Sequence, residues 1–251
     1  EYGIGSGVSL IIFAGIVAQI PSTMGQLLFS FEASQLPLYI GFGIAALAVV
    51  AGVVFNTEAE RPLPVTYAKR VRGMKVYGGV STYLPLRINQ AGVIPIIFAL
   101  SILLFPQMIG NFLLAMQNGI AQKIGQWMIY AVSNSWVYGI SYFLFVFLFT
   151  YFYTAVTFDP TTIADNLQKS GAFIPGVRPG ASTAEYVGRV LGRITLFGAL
   201  FLGIIAVLPL IMQALTNIQA LAIGGTALLI AVSVVLDLIK KVDAQISMRE
   251  Y

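Results

Sequence analysis

Long apolar runs dominate the chain, separated by two polar, basic stretches and by short turns with few charges. A helix that crosses a bilayer needs about 20 mostly apolar residues. Six runs reach that length, and the pattern predicts an all-α membrane protein with six transmembrane helices. The first runs from Val8 through Phe29, and its Pro21-Ser22 step predicts an irregular second half. The second covers Leu36 to Phe55, and the third covers Ala91 to Gly110 with Pro95 and Pro106 inside it. The fourth, Met128 to Val156, is long and ends in FLFVFLFTYFYTAV. The fifth runs from Ile194 to Leu215 with a late Pro209, and the sixth from Ala220 to Ile239. Proline and glycine in such spans predict kinks, because neighbouring helices can satisfy the freed backbone groups.

Charge placement orients these spans. The stretches 56–90 and 157–193, with the tail 240–251, hold 13 of the 14 Lys and Arg residues. Between spans one and two the only charge is Glu32, and between spans three and four it is Lys123. The positive-inside rule therefore puts both basic loops and both ends of the segment in the cytoplasm. The first loop carries Val65-Thr66-Tyr67 and Val80-Ser81-Thr82-Tyr83, separated by Gly73, Gly78 and Gly79, and reads as a projecting hairpin. The second opens with Asp159-Pro160-Thr161-Thr162, a turn that predicts a short helix, and continues through KSGAFIPGVRPG with Arg178 between two turns. Both loops exceed what a plain connection needs. They are either a lengthened topology signal or a docking surface for a cytosolic partner rich in acidic groups or phosphates, as a ribosome is.

Composition narrows the chemistry. Apolar residues make up 58% of the chain and charged ones 10%, far from the ~25% charged residues of soluble domains. Absence of cysteine excludes disulfides and thiolate chemistry, and absence of histidine removes the usual general base and zinc ligand. No carboxylate falls in mid-span, no phosphate-binding glycine motif occurs, and no cofactor, metal or catalytic set is expected. The chain opens at Glu1-Tyr2-Gly3 without an initiator Met, and is expected to be part of a longer protein. The spans carry isoleucines near their middles, which either pack in the bundle or line an apolar pore constriction. A secondary-transporter half with broken helices is the alternative, and the lack of mid-membrane charge argues against it.

The strings YGIGSGVSLIIFAGIVAQIP, NQAGVIPIIFA, ADNLQKSGAFIPGVRPG and IGGTALLI resemble the SecY family of protein-conducting channel subunits, from its fifth to its tenth membrane helix. PVTYAKR, Pro64 to Arg70, is similar to the family's loop between helices six and seven. The resemblance implies residues 1–35 as the fifth helix and the hinge between pseudo-twofold halves, and residues 36–251 as the C-terminal half with five helices. It implies a channel for unfolded polypeptide, closed by an apolar ring to which Ile12, Ile16, Ile97 and Ile230 would contribute. Ile12 and Ile16 lie about one helical turn apart and can face one axis. Asn89, with Gln90 beside it, would belong to a gate opening sideways to lipid, although an Asn there can also simply cap a helix. Arg178 would be the central docking residue, with Lys69, Arg70, Arg72 and Lys169 in support. The implied partners are small SecE- and SecG-type membrane subunits, the SecA motor ATPase or a ribosome, the translocating preprotein, the N-terminal half of the channel, and lipid. The implied place is the bacterial inner membrane. The Glu60-Arg61-Pro62 step departs from the family, many of whose members carry a second basic residue after the arginine.

Overall fold

A computed structural model describes residues 7–29, 36–68, 70–72, 75–77, 81–92, 94–116 and 118–216, and short pieces between 227 and 246. Helix α1 (Gly7–Phe29) stays helical through Pro21, where an irregular half was expected, and the Ser22 hydroxyl donates to the Gln19 carbonyl at 2.8 Å. Helix α2 spans Leu36–Glu58. The first basic loop then forms β1 (Glu60–Tyr67), β2 (Arg70–Arg72), β3 (Lys75–Tyr77) and β4 (Ser81–Arg87). Strand β1 pairs antiparallel with β4, with Val65 opposite Thr82, and β2 pairs with β3, so the loop is the hairpin its pattern predicts. Leu63 and Val65 are buried while Pro62 and Pro64 are exposed, the period-two alternation of a half-buried strand. The helical fold thus carries short strands outside its spans.

Helix α3 (Ile94–Ala115) begins with Pro95 in its first turn, where a missing N–H costs nothing, and continues through Pro106. The fourth predicted span is not one helix. It is divided into α4 (Gly119–Ser133) and α5 (Ser135–Thr157). Asn134 takes an extended conformation (φ −76°, ψ 114°), and its side chain accepts from the amides of Trp136 at 3.0 Å and Val137 at 3.5 Å. An N-cap between Ser133 and Ser135 thus ends one helix and starts the next. Helix α6 (Pro160–Lys169) is the short helix expected after Asp159, and β5 (Ala172–Phe173) follows it. Helix α7 (Ala181–Thr216) begins 13 residues before the predicted fifth span. Val187, Val190, Leu191 and Ile194 line one face of that extension and are buried.

Two separate cores result. The first joins Val49 and Val53 of α2, Ile96, Ala99 and Leu103 of α3, Tyr142 and Val146 of α5, Leu202 and Ile205 of α7, and Ile230 and Val234. Buried Thr150 and Thr154 donate their hydroxyls to carbonyls one turn earlier, at 2.7 Å each, so neither leaves an unpaired polar atom in the bundle. The second core lies under the sheet, joining Leu63, Val65, Leu86, Ala172 and Ile174 to the start of α7. Among the described residues, Ile94–Ala115, Ser135–Lys169 and Ala181–Ala214 are long and apolar enough to cross a membrane. Of the sixth predicted span, Gly224-Gly225-Thr226 lies outside the described residues.

Candidate docking surface and gate

The two basic loops are far apart in sequence but form one unit. Strand β1 pairs with β4 on one side and with β5 on the other, Thr66 opposite Phe173 and Tyr67 opposite Ala172. The Ala68 amide extends this pairing by donating to the Gly171 carbonyl at 2.9 Å. Nothing in the dipeptide Ala172-Phe173 signals a strand; only the long-range partner makes it one. The unit has a core separate from that of the helical bundle and is tied to it through α7, which enters both cores.

Arg178 sits on this unit with its side chain exposed. Its backbone is fixed from three directions. Gly176 (φ 84°) and Gly180 (φ 98°) take the left-handed conformation on either side, which glycine adopts without a Cβ penalty. The Thr183 hydroxyl, buried at the start of α7, donates to the Arg178 carbonyl at 2.9 Å. A Cβ on Gly180 would stand 3.6 Å from Gln168 Oε1, so the turn leans on the end of α6, beside exposed Lys169. The guanidinium is therefore presented by a rigid turn, not a loose loop. Arg70 and Arg72 are the first and last residues of the short strand β2, and Lys69 lies outside the described residues.

Helix α6 is held by Asp159. Its carboxylate accepts from the Thr161 and Thr162 hydroxyls and from both amides, at 3.0 Å and 3.3 Å for the latter. The Thr161 hydroxyl, then the Thr162 hydroxyl, hold the carboxyl down to about 2.

At the membrane end of the unit, β4 leads through Ile88 into Asn89 and Gln90. Asn89 is buried, and both ends of its amide are committed to Gly92: Oδ1 accepts from the Gly92 amide at 3.1 Å and Nδ2 donates to the Gly92 carbonyl at 3.3 Å. Asn89 thus holds the turn at Gly92, just ahead of α3. Gln90 Oε1 is buried and has no donor among the described residues. Sequence reasoning missed Gly198 of α7 in this region: a Cβ there would lie 2.6 Å from the Ile88 carbonyl oxygen. A glycine within an apolar span was its only signal.

Of the four isoleucines, Ile230 is buried in the bundle core, and Ile16 is partly buried against the same cluster. Ile97 is half-buried, and its neighbour Ile96 reaches that core. Ile12 lies on α1, and its side chain is outside the described residues.

The SecY family profile matches residues 1–239. The chain belongs to the SecY family. Curated relatives with the name protein translocase subunit SecY include those of Mycobacterium leprae (44% identical), Thermotoga maritima (43%) and Thermus thermophilus (44%). Each alignment covers all of this chain but only 56–58% of the relative, so the chain spans a little over half the length of these proteins. Two solved structures share its fold at 20% identity. One is of a protein-conducting channel (TM-score 0.61, covering 96% of this chain and 59% of that one). The other, of a SecY channel studied for its plug domain, gives 0.60 with 96% and 60% covered. Family membership and the long apolar helices together make this a multi-pass membrane chain.

Proposed function

We propose that this chain supplies the C-terminal half, and the helix before the hinge, of a channel that conducts unfolded polypeptide across the bacterial inner membrane. It hydrolyses nothing itself. The observation that carries the reading is the match to the SecY family over residues 1–239, whose curated relatives bear the name protein translocase subunit. The joining of two basic loops into one unit supports the cytoplasmic docking of a SecA-type motor or a ribosome, with Arg178 at its centre and Lys169, Lys69, Arg70 and Arg72 around it. The basic side is cytoplasmic in this reading. SecE- and SecG-type subunits and the N-terminal half complete the channel.

The gate is the seam at Asn89 and Gln90, which opens to release membrane segments into lipid. The orphaned carbonyl of Gln90 supports this, because a buried acceptor without a donor is costly and a polar group from the facing half would satisfy it. The pore is closed by apolar side chains from α1, α3 and the sixth span: Ile12, Ile16, Ile97 and Ile230. Such a ring grips an extended chain while giving water and ions no polar partner. Replacing Ile97 and Ile230 together by serine in the full-length channel raises ion conductance of the empty channel in planar bilayers. Unchanged conductance removes the ring.

A further inference from the structure

Helix α4, at 15 residues, is too short to cross a bilayer, and its surface divides into three faces. One packs on α3 through glycines: a Cβ on Gly125 would come within 2.8 Å of the Gly110 carbonyl oxygen. A second, with Gln122, Gln126 and Ser133, is polar and exposed. The third carries Ile120, Ile124 and Trp127, spaced by four and three residues and all exposed, with Tyr130 at its edge and Lys123 beside it. Protein on one side, water on another and hydrocarbon on the third is the environment of a helix lying in a membrane interface. Trp and Tyr favour that zone, because each has an apolar body and a polar tip.

Behind this helix lies a cavity of about 310 Å³, enclosed by α3, α4 and α5. Its walls include Leu103 and Pro106, Met128, and Val137 and Phe145. Leu103 is buried and forms the floor, while Trp127 and Val137 are exposed and mark the mouth. Val137 also begins the exposed apolar stripe of α5, continued by Ile140, Leu144 and Leu148, so the cavity opens onto a surface suited to lipid. Water gains little there, since it needs two to four polar partners and the Ser141 and Tyr138 hydroxyls are the wall's only side-chain polar groups besides the Trp127 indole.

We propose that this cavity binds an acyl chain of a membrane phospholipid, with α4 in the interface above it and Lys123 near the headgroup phosphates. The leaflet, opposite the basic loops, rests on the orientation proposed above; the lipid contact does not.

The test uses the full-length channel complex in phosphatidylcholine–phosphatidylglycerol vesicles, with Trp127 left as the only tryptophan. Lipids brominated near the carbonyl quench it at least about twofold more than lipids brominated at the chain end, as an interfacial ring requires. A phospholipid bearing a diazirine in its acyl chain marks peptides containing Met128 and Phe145. Filling the cavity with Ala131→Phe, or with Ser141→Leu if the first variant folds poorly, removes those adducts and leaves adducts on Ile140 and Leu144. Quenching by aqueous iodide and by no brominated lipid overturns the proposal, as does quenching by neither, which means another protein covers the face. Adducts that ignore both cavity variants overturn it too. A membrane-impermeant amine reagent that reaches Lys123 only from the cytoplasmic side refutes the orientation and leaves the lipid site standing.

Discussion

Asp159 shows how much one side chain does for the unit built from the two basic loops. Four donors from two threonines converge on its carboxylate, which is why the group titrates near 2 instead of at its ordinary 3.8. A depressed carboxyl adds stability that is complete above the unfolded value and is lost as pH falls through the folded one. Protection of the Thr161 and Thr162 amides against hydrogen exchange, taken relative to the intrinsic rate at each pH, is therefore expected to be constant above pH 4 and to fall between 3.8 and about 2. Asp159→Asn, which keeps an acceptor but cannot titrate, removes that fall; if both proteins respond alike, the carboxylate is not the source. This cap was legible from Asp159-Pro160-Thr161-Thr162 because every part of it is local. Asn134 is an equally local cap, yet it sits between two apolar stretches, and hydropathy averaged over a span hides one polar break. The four isoleucines came from family likeness alone, since isoleucine in a span has no spacing that tells pore from packing.

Among the elements, α7 has the most to join. Val187 to Ile194 belong to the core under the sheet, and Leu202 to Ala206 to the core of the bundle, within one continuous helix. Sequence pattern found the apolar second part but not the first, because Glu185, Arg189 and Arg193 dilute its hydropathy while its buried face still repeats every three to four residues. The β1–β5 pairing was illegible for another reason: contacts between residues about a hundred positions apart leave no mark in a two-residue strand. Gly198 lies where the two parts of α7 meet, with the Ile88 carbonyl against its backbone just before the turn at Asn89. Gly198→Ala puts a methyl within 2.6 Å of that oxygen and is expected to cost about 1–3 kcal/mol, despite the gain in helix propensity. Gly192→Ala, with nothing within 4 Å, serves as the control and is expected to be neutral or slightly stabilising. Thermal unfolding of the two variants in detergent decides it, and equal midpoints mean that the contact carries no weight.

At the scale of the whole molecule the fold separates two tasks. The bundle leaves many large apolar side chains exposed, while the sheet, α6 and the start of α7 form a compact unit with its own core. Because that unit is stabilised internally, a charge on its rim can change without disturbing the bundle. Arg178 is such a charge: its side chain is exposed, and the turn beneath it is fixed through its carbonyl by Thr183 and by glycines on both sides. Arg178→Glu therefore leaves insertion, subunit assembly and thermal stability unchanged. In the docking proposed above, an acidic or phosphate-bearing partner then meets a like charge at Arg178, and the rate of capture falls. Motor-dependent translocation of a preprotein into vesicles with the full-length variant is expected to drop at least about tenfold, equivalent to about 1.4 kcal/mol of lost interaction. Arg178→Lys, which keeps the charge but not the planar fork, is expected to fall between the two. Salt separates this from a fold defect: if docking is electrostatic, raising ionic strength weakens the parent channel toward the glutamate variant, whereas a damaged turn stays inactive at every salt concentration. A glutamate variant that translocates at the parent rate at low salt removes Arg178 from the docking surface and leaves the loops as topology signals.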